Sequence, residues 1–132
     1  MYNAGVDLVL AGHRHGYERF APQTTAQQAD PSFGLREIVV GTGGEALVNF
    51  GSHVEPNSQV RNGTTYGVLK LTLHSTSYDF QFIPIAGQSF TDSGTTSCHG
   101  APGAAQQAAV ADSVAIQTQQ SLATTDMRRR PH

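Results

Sequence analysis

Asp7-Leu8-Val9-Leu10-Ala11-Gly12-His13-Arg14-His15-Gly16-Tyr17-Glu18-Arg19-Phe20 is the stretch from which the rest of the chain is read. Its opening, residues 6–11, is short, continuous, apolar and β-prone, which predicts a buried strand. Gly12 follows, a residue that lets the chain turn sharply where a strand ends. Two imidazoles, two residues apart, are thereby set at the carboxyl end of a strand, where α/β sheets place their ligands. Imidazole is the commonest metal-binding side chain and suits zinc, iron and similar ions. A pair leaving one strand tip can serve two adjacent metals, an arrangement used to hydrolyse phosphate esters. The spacing alone also fits two surface-loop histidines, so the flanking residues must decide.

Working outward, residues 12–20 read as the loop that carries the histidines, and residues 21–34, with Pro22, Pro31 and Gly34, as a polar surface loop. Residues 35–42 form the next strand. In both Leu8-Val9-Leu10 and Ile38-Val39-Val40 every residue is apolar, the mark of strands covered on both faces. Gly41-Thr42-Gly43-Gly44 has neither P-loop nor dinucleotide spacing and reads as a tight turn with a close backbone approach. Residues 49–65 read as a long loop, in which Asn62-Gly63-Thr64 has the glycosylation spelling but is better taken as turn chemistry. Leu69, Leu71 and Leu73 then alternate with Lys70, Thr72 and His74, and Tyr78, Phe80 and Phe82 alternate in turn. These runs predict an antiparallel hairpin with both apolar sets on one side. His74 belongs to its wet face, and His53 is read as structural.

Two features frame the ends. Tyr2-Asn3-Ala4-Gly5 resembles the close of a helix, with Gly5 as its cap and the body of that helix expected upstream. Residues 101–132 are rich in Ala, Gln, Ser and Thr and lack aromatics. They read either as a frayed helix over 104–122 or as a disordered tail, and Arg128-Arg129-Arg130 as solvated terminal charge. No convincing helical period precedes residue 104, so the sheet has strands but no helices to cover it. Domain organisation is therefore expected to be residues 1–100 and a separate tail, 101–132.

Composition narrows the function. With 38% hydrophobic residues and a formal net charge of −2, the chain lacks the basic footprint of a nucleic-acid binder. No run of 18 apolar residues is present, so no membrane segment is expected. No signal peptide opens the sequence. The single cysteine, Cys98, is read either as an inert free thiol or as the partner of a cysteine elsewhere. A nucleophilic role beside His99 would need a base that nothing in the sequence indicates.

The stretch GVDLVLAGHRHGYERF resembles the last motif of calcineurin-like metallophosphoesterases, and its Tyr17-Glu18-Arg19 extension resembles the purple acid phosphatase-like branch. The likeness continues through REIVVGTGGEAL, TYGVLKLTLHSTSYDFQFIPIAG and FTDSGTTSCHG, over about residues 2–100. It implies an α/β fold, the C-terminal part of an αββα sandwich, β-rich here with about four strands. It also implies an enzyme that hydrolyses phosphate esters with a metal-bound hydroxide, using two ions, Fe, Zn or Mn. His13 would bind the second metal and His15 the first, which is ferric iron in purple enzymes. Gly12, Arg14, Tyr17, Glu18 and Arg19 would form or support the site loop, with Glu18 and Arg19 hydrogen-bonding it in place. Arg14 stands where the family often has Asp or Val, and it points either at a phosphate or into solvent.

The resemblance also shows what to look for and not find. Such a centre needs carboxylates, above all an aspartate bridging both ions. The sequence has no Gly-Asp and no Asn-His dipeptide, and none of its six aspartates has a histidine two residues later. Asp7 begins the strand whose far end carries the histidines, and at about 3.3 Å per residue the two lie well apart. The chain is therefore expected to be the last piece of a secreted or periplasmic phosphoesterase, inactive alone and completed by an N-terminal half. The alternative is a non-catalytic interaction module that pairs with a separate N-terminal half.

Overall fold

The computed structural model describes residues 1–103, and the helix or disorder expected over 104–122 and the Arg128–Arg130 run lie outside them. The chain divides into two units, Met1–Ala101 and Pro102–His132. In the first, a 3-10 turn at Tyr2–Ala4 is closed by Gly5 in the left-handed conformation. Seven strands follow: β1 (Leu8–Ala11), β2 (Tyr17–Phe20), β3 (Arg36–Val40), β4 (Ser58–Asn62), β5 (Gly67–Leu73), β6 (Ser77–Pro84) and β7 (Ser93–Ser97). No α-helix occurs among the described residues, and none of their helices is long and apolar enough to cross a membrane.

The first sheet has the order β1-β3-β2-β4 and the second β5-β6-β7. β1 runs parallel to β3, whereas β2 is antiparallel to both β3 and β4. The carboxyl ends of β1, β3 and β4 therefore lie at one edge of the first sheet. The second sheet is antiparallel throughout. Its hairpin has the register the alternation predicts, with Leu69 opposite Phe82, Leu71 opposite Phe80 and Leu73 opposite Tyr78.

The sheets meet through Tyr17 and Ile38 on one side and Tyr78, Phe80 and Phe82 on the other, with Leu8, Val40, Val60, Leu69, Leu71 and Phe90 around them. Tyr17 and Phe82 lie 4.9 Å apart at 58°, a tilted arrangement that avoids face-to-face repulsion between the rings. Fully burying a side chain of this kind contributes about 1.5–3 kcal/mol, so these few aromatics supply much of the cohesion of the unit.

The β-rich character expected from the sequence is present, with three strands beyond those read from it. β2 lies within the stretch read as loop, and β4 within the loop expected at 49–65. β4 and β7 are edge strands made largely of polar residues, so neither shows apolar alternation. In β3 both Ile38 and Val39 are buried, as a strand covered on both faces requires. β1 departs from that expectation: Leu10 is 52% exposed, because β1 is an edge of the sheet among the described residues.

Candidate functional site

The order β1-β3-β2 dictates the path of the histidine loop. To pass from β1 into β2, residues 12–16 must cross over the end of β3, which lies between them. Gly41, the first residue after β3, sits directly beneath this crossing. A Cβ there would come within 1.9 Å of the Arg14 carbonyl oxygen, so only glycine lets the loop pass. The close backbone approach anticipated for the glycine cluster is thus made at Gly41. The loop is closed on itself by Gly16 N–H to Arg14 O (2.9 Å) and fastened to β3 by Gly41 N–H to Gly16 O (3.0 Å).

The segment after β3 then folds back against the histidines. Val48 N–H donates to His15 O at 2.8 Å, and His15 Nδ1 lies 3.2 Å from Ala46 O. A carbonyl oxygen only accepts, so a hydrogen bond here places a proton on Nδ1, and in the neutral ring the lone pair is then on Nε2. That is the tautomer an Nε2 metal ligand needs, with a backbone oxygen fixing the ring. His15 is half-buried, and His13 is exposed.

Arg14 lies across Phe50, its guanidinium carbon 4.1 Å from the ring centre. Arg61, on β4, approaches the same ring at 5.3 Å. Phe50 in turn sits close over Gly16, where a Cβ would be 3.1 Å from its Cε2. Neither Phe50 nor Arg61 is singled out by pattern in the sequence. A lone aromatic in a Gly-, Asn- and Ser-rich loop is the one signal that marks the position.

Tyr17, Glu18 and Arg19 leave the loop as β2. Arg19 donates from Nε to Asp92 Oδ2 at 2.6 Å, with a weaker contact from its second terminal nitrogen at 3.3 Å, and from its first to Gln59 Oε1. Tyr17 donates to the same Asp92 oxygen at 2.8 Å. Burial and then the Asp92 carboxylate hold the Tyr17 phenol well above its ordinary pKa, so it remains a donor at neutral pH. Glu18 is buried and accepts from Ser58 Oγ at 2.6 Å. The recorded side-chain hydrogen bonds of Glu18 and Arg19 thus lead to β4 and to the segment before β7, anchoring β2, which begins where the histidine loop ends.

The remaining histidines lie apart from this loop. His53 is 3.4 Å from Glu55, and His74 pairs with Asp79 at 2.8 Å on the exposed hairpin face. His99 is drawn to the start of β1, its N–H donating to Asp7 at 2.8 Å and its Nε2 lying 3.1 Å from Gly34 O. Cys98 is a free, exposed thiol. Among the described residues no three His, Cys, Asp or Glu side chains converge as a metal site would require. By its donor chemistry the histidine pair fits one part of a metal site and does not make one alone.

Over 75 residues, 51% of this chain, the sequence is 37% identical to an Arabidopsis thaliana protein named probable inactive purple acid phosphatase 1. The match spans 12% of that protein, so the chain corresponds to a small part of its length. No protein-family model and no solved structure matches the chain.

Proposed function

We propose that this chain is the C-terminal segment of a phosphoesterase of the purple acid phosphatase-like type, contributing two histidines to a dinuclear metal site completed by residues outside it. The observation that carries this reading is the His15 ring, whose Nδ1 faces the Ala46 carbonyl and whose Nε2 is left free to ligate. Its place at the gathered carboxyl ends of three co-directional strands supports it further, and the similarity to a protein named probable inactive purple acid phosphatase 1 supports the family though not the activity. His13 and His15 would hold Fe, Zn or Mn. Metals bound there would supply Lewis acidity and a nucleophile at neutral pH for hydrolysis of a phosphate ester.

The chain's own residues do the positioning. Gly12 and Gly16 bound the turn, Gly41 lets it cross β3, and Tyr17 and Arg19 clamp β2 to Asp92. With no carboxylate cluster beside the histidines, the isolated chain binds metal weakly and does not turn over substrate. Equilibrium dialysis against Zn, Mn and Fe ions, with a chromogenic phosphomonoester assay, tests the reading on the wild type and on His13→Ala and His15→Ala. Weak binding that both substitutions abolish, without hydrolysis, supports it. Robust, histidine-dependent hydrolysis by the chain alone overturns the fragment reading.

The relative's printed name, probable inactive purple acid phosphatase 1, favours a second reading, a non-catalytic module that pairs with a separate N-terminal half. Beside the free edge of β1 runs an apolar groove that includes Leu10, Val40, Val68 and Leu69, with Ile83 and Ile85 beyond it. Leu10, Val68 and Ile85 are each half or more exposed, and an unpaired strand flanked by such a patch is a docking edge. Both readings need this surface covered. They part on whether the completed assembly hydrolyses a phosphate ester, which co-expression with an N-terminal half and the same assay would decide.

A further inference from the structure

Among the described residues neither the Arg14 nor the Arg61 guanidinium has a carboxylate within ion-pair distance, although Glu18 is the cross-strand neighbour of Arg61. The Arg14 guanidinium makes no hydrogen bond or ion pair among the described residues, and the Arg61 guanidinium donates to the His53 carbonyl at 2.6 Å. Glu55, in the same loop, faces His53 instead. Both guanidinium groups nonetheless converge on one ring, Phe50, at 4.1 and 5.3 Å. In a chain of net charge −2 this is a local concentration of positive charge, and Arg14 stands between His13 and His15 in the sequence.

A guanidinium stacked on a ring offers its face to the π system and keeps its in-plane N–H groups free to donate. The ring therefore orients two planar, five-donor forks without consuming their hydrogen bonds. Such a fork matches the geometry of phosphate oxygens, and orienting it before binding removes part of the entropy cost of ordering a long side chain. Phe50 is itself held against Gly16, so the pair of forks is tied to the histidine loop.

We infer that Arg14 and Arg61, splayed on Phe50, form an anion subsite that takes a phosphoryl group beyond the one held at the histidines. The ligand class is a phosphate ester or anhydride carrying at least two phosphoryl groups. This deepens the phosphoesterase reading and rests on it only for the role of the histidines. The subsite itself requires no metal.

The test is a calorimetric titration of the metal-free chain with inorganic pyrophosphate and, separately, inorganic phosphate, at low and constant ionic strength. Pyrophosphate is expected to bind at least about tenfold more tightly than phosphate. Arg14→Gln and Arg61→Gln should each weaken it about five- to tenfold, whereas His74→Ala, on the exposed hairpin face, should leave it within about twofold. Arg14→Lys should recover only part of the loss, because an ammonium keeps the charge but lacks the planar fork. Each variant's amide NMR spectrum should overlay on the wild type away from the substitution. Pyrophosphate binding no tighter than phosphate, or binding indifferent to both arginine substitutions, would overturn the subsite. Neither result bears on metal binding by the histidines, so the two readings fail separately.

Discussion

Tyr17 and Tyr78 are both buried between the two sheets, yet only Tyr17 has a partner for its hydroxyl. Tyr17 donates to Asp92, while the Tyr78 hydroxyl is buried with no hydrogen bond in the structure. An unsatisfied buried hydroxyl costs about 1–3 kcal/mol, whereas a satisfied one contributes about 1. Tyr78→Phe is therefore expected to be neutral or to stabilise by about 1 kcal/mol, and Tyr17→Phe to destabilise by about as much, measured by urea unfolding. Asp92→Asn strips the largely buried Arg19 of its counter-charge and should cost about 3 kcal/mol. The histidines at this scale were legible from side-chain chemistry and spacing. The Asp92 clamp was not, because it joins residues 73 positions apart and no local pattern marks such a pair. Arg14 was left open by sequence for the same reason: the ring it lies on is supplied by a loop 36 residues away, and only the folded path of that loop brings Phe50 over Gly16.

Strands with a wet and a dry face announced themselves, and those without did not. The β5–β6 hairpin could be read from its strict alternation, which fixes the pairing of Leu69, Leu71 and Leu73 with Phe82, Phe80 and Tyr78, although Leu73, at the hairpin end, is 76% exposed rather than buried. β4 and β7 lie at sheet edges and are built from Ser, Gln, Arg, Asn, Gly and Thr, so nothing in their sequence separates strand from loop. Beyond its backbone ladder with β6, β7 is also tied down by a side chain. Asp79 accepts from Thr95 Oγ1 at 2.7 Å and pairs with His74 at 2.8 Å, contacts that hold its carboxyl below the ordinary range, His74 first and Thr95 second. A carboxyl depressed in the folded state adds stability above its unfolded pKa, and that contribution fades as pH falls through the ordinary carboxylate range and below. Thermal melting temperature should therefore drop between about pH 5 and pH 3, and Asp79→Asn should flatten part of that drop. The crossing of the histidine loop over β3 makes a second prediction at this scale. Gly41→Ala must displace the Arg14 carbonyl, so it should shift the amide resonances of residues 12–16 while the hairpin resonances stay in place.

Taken whole, the Met1–Ala101 unit is two sheets joined by an aromatic seam, with its candidate chemistry gathered at one edge of the first sheet. Parallel pairing of β1 with β3 brings the histidine loop to the segment after β3, and β4 delivers Arg61 to the same place. The absence of a Gly-Asp or Asn-His motif that would supply further ligands is a property of the sequence itself. What the sequence concealed was the free edge of β1, because Leu8-Val9-Leu10 reads the same whether the strand is central or at an edge. The proposed metal site turns on His15 ligating through Nε2 while Nδ1 stays bound to the Ala46 carbonyl. Long-range 1H–15N NMR of the imidazole rings during a zinc titration tests it directly. The account predicts that zinc perturbs Nε2 of His15 with Nδ1 still protonated, together with shifts at His13 and none at His53 or His74. Zinc binding through Nδ1, or His13 and His15 rings that stay unmoved while other histidines shift, would contradict it.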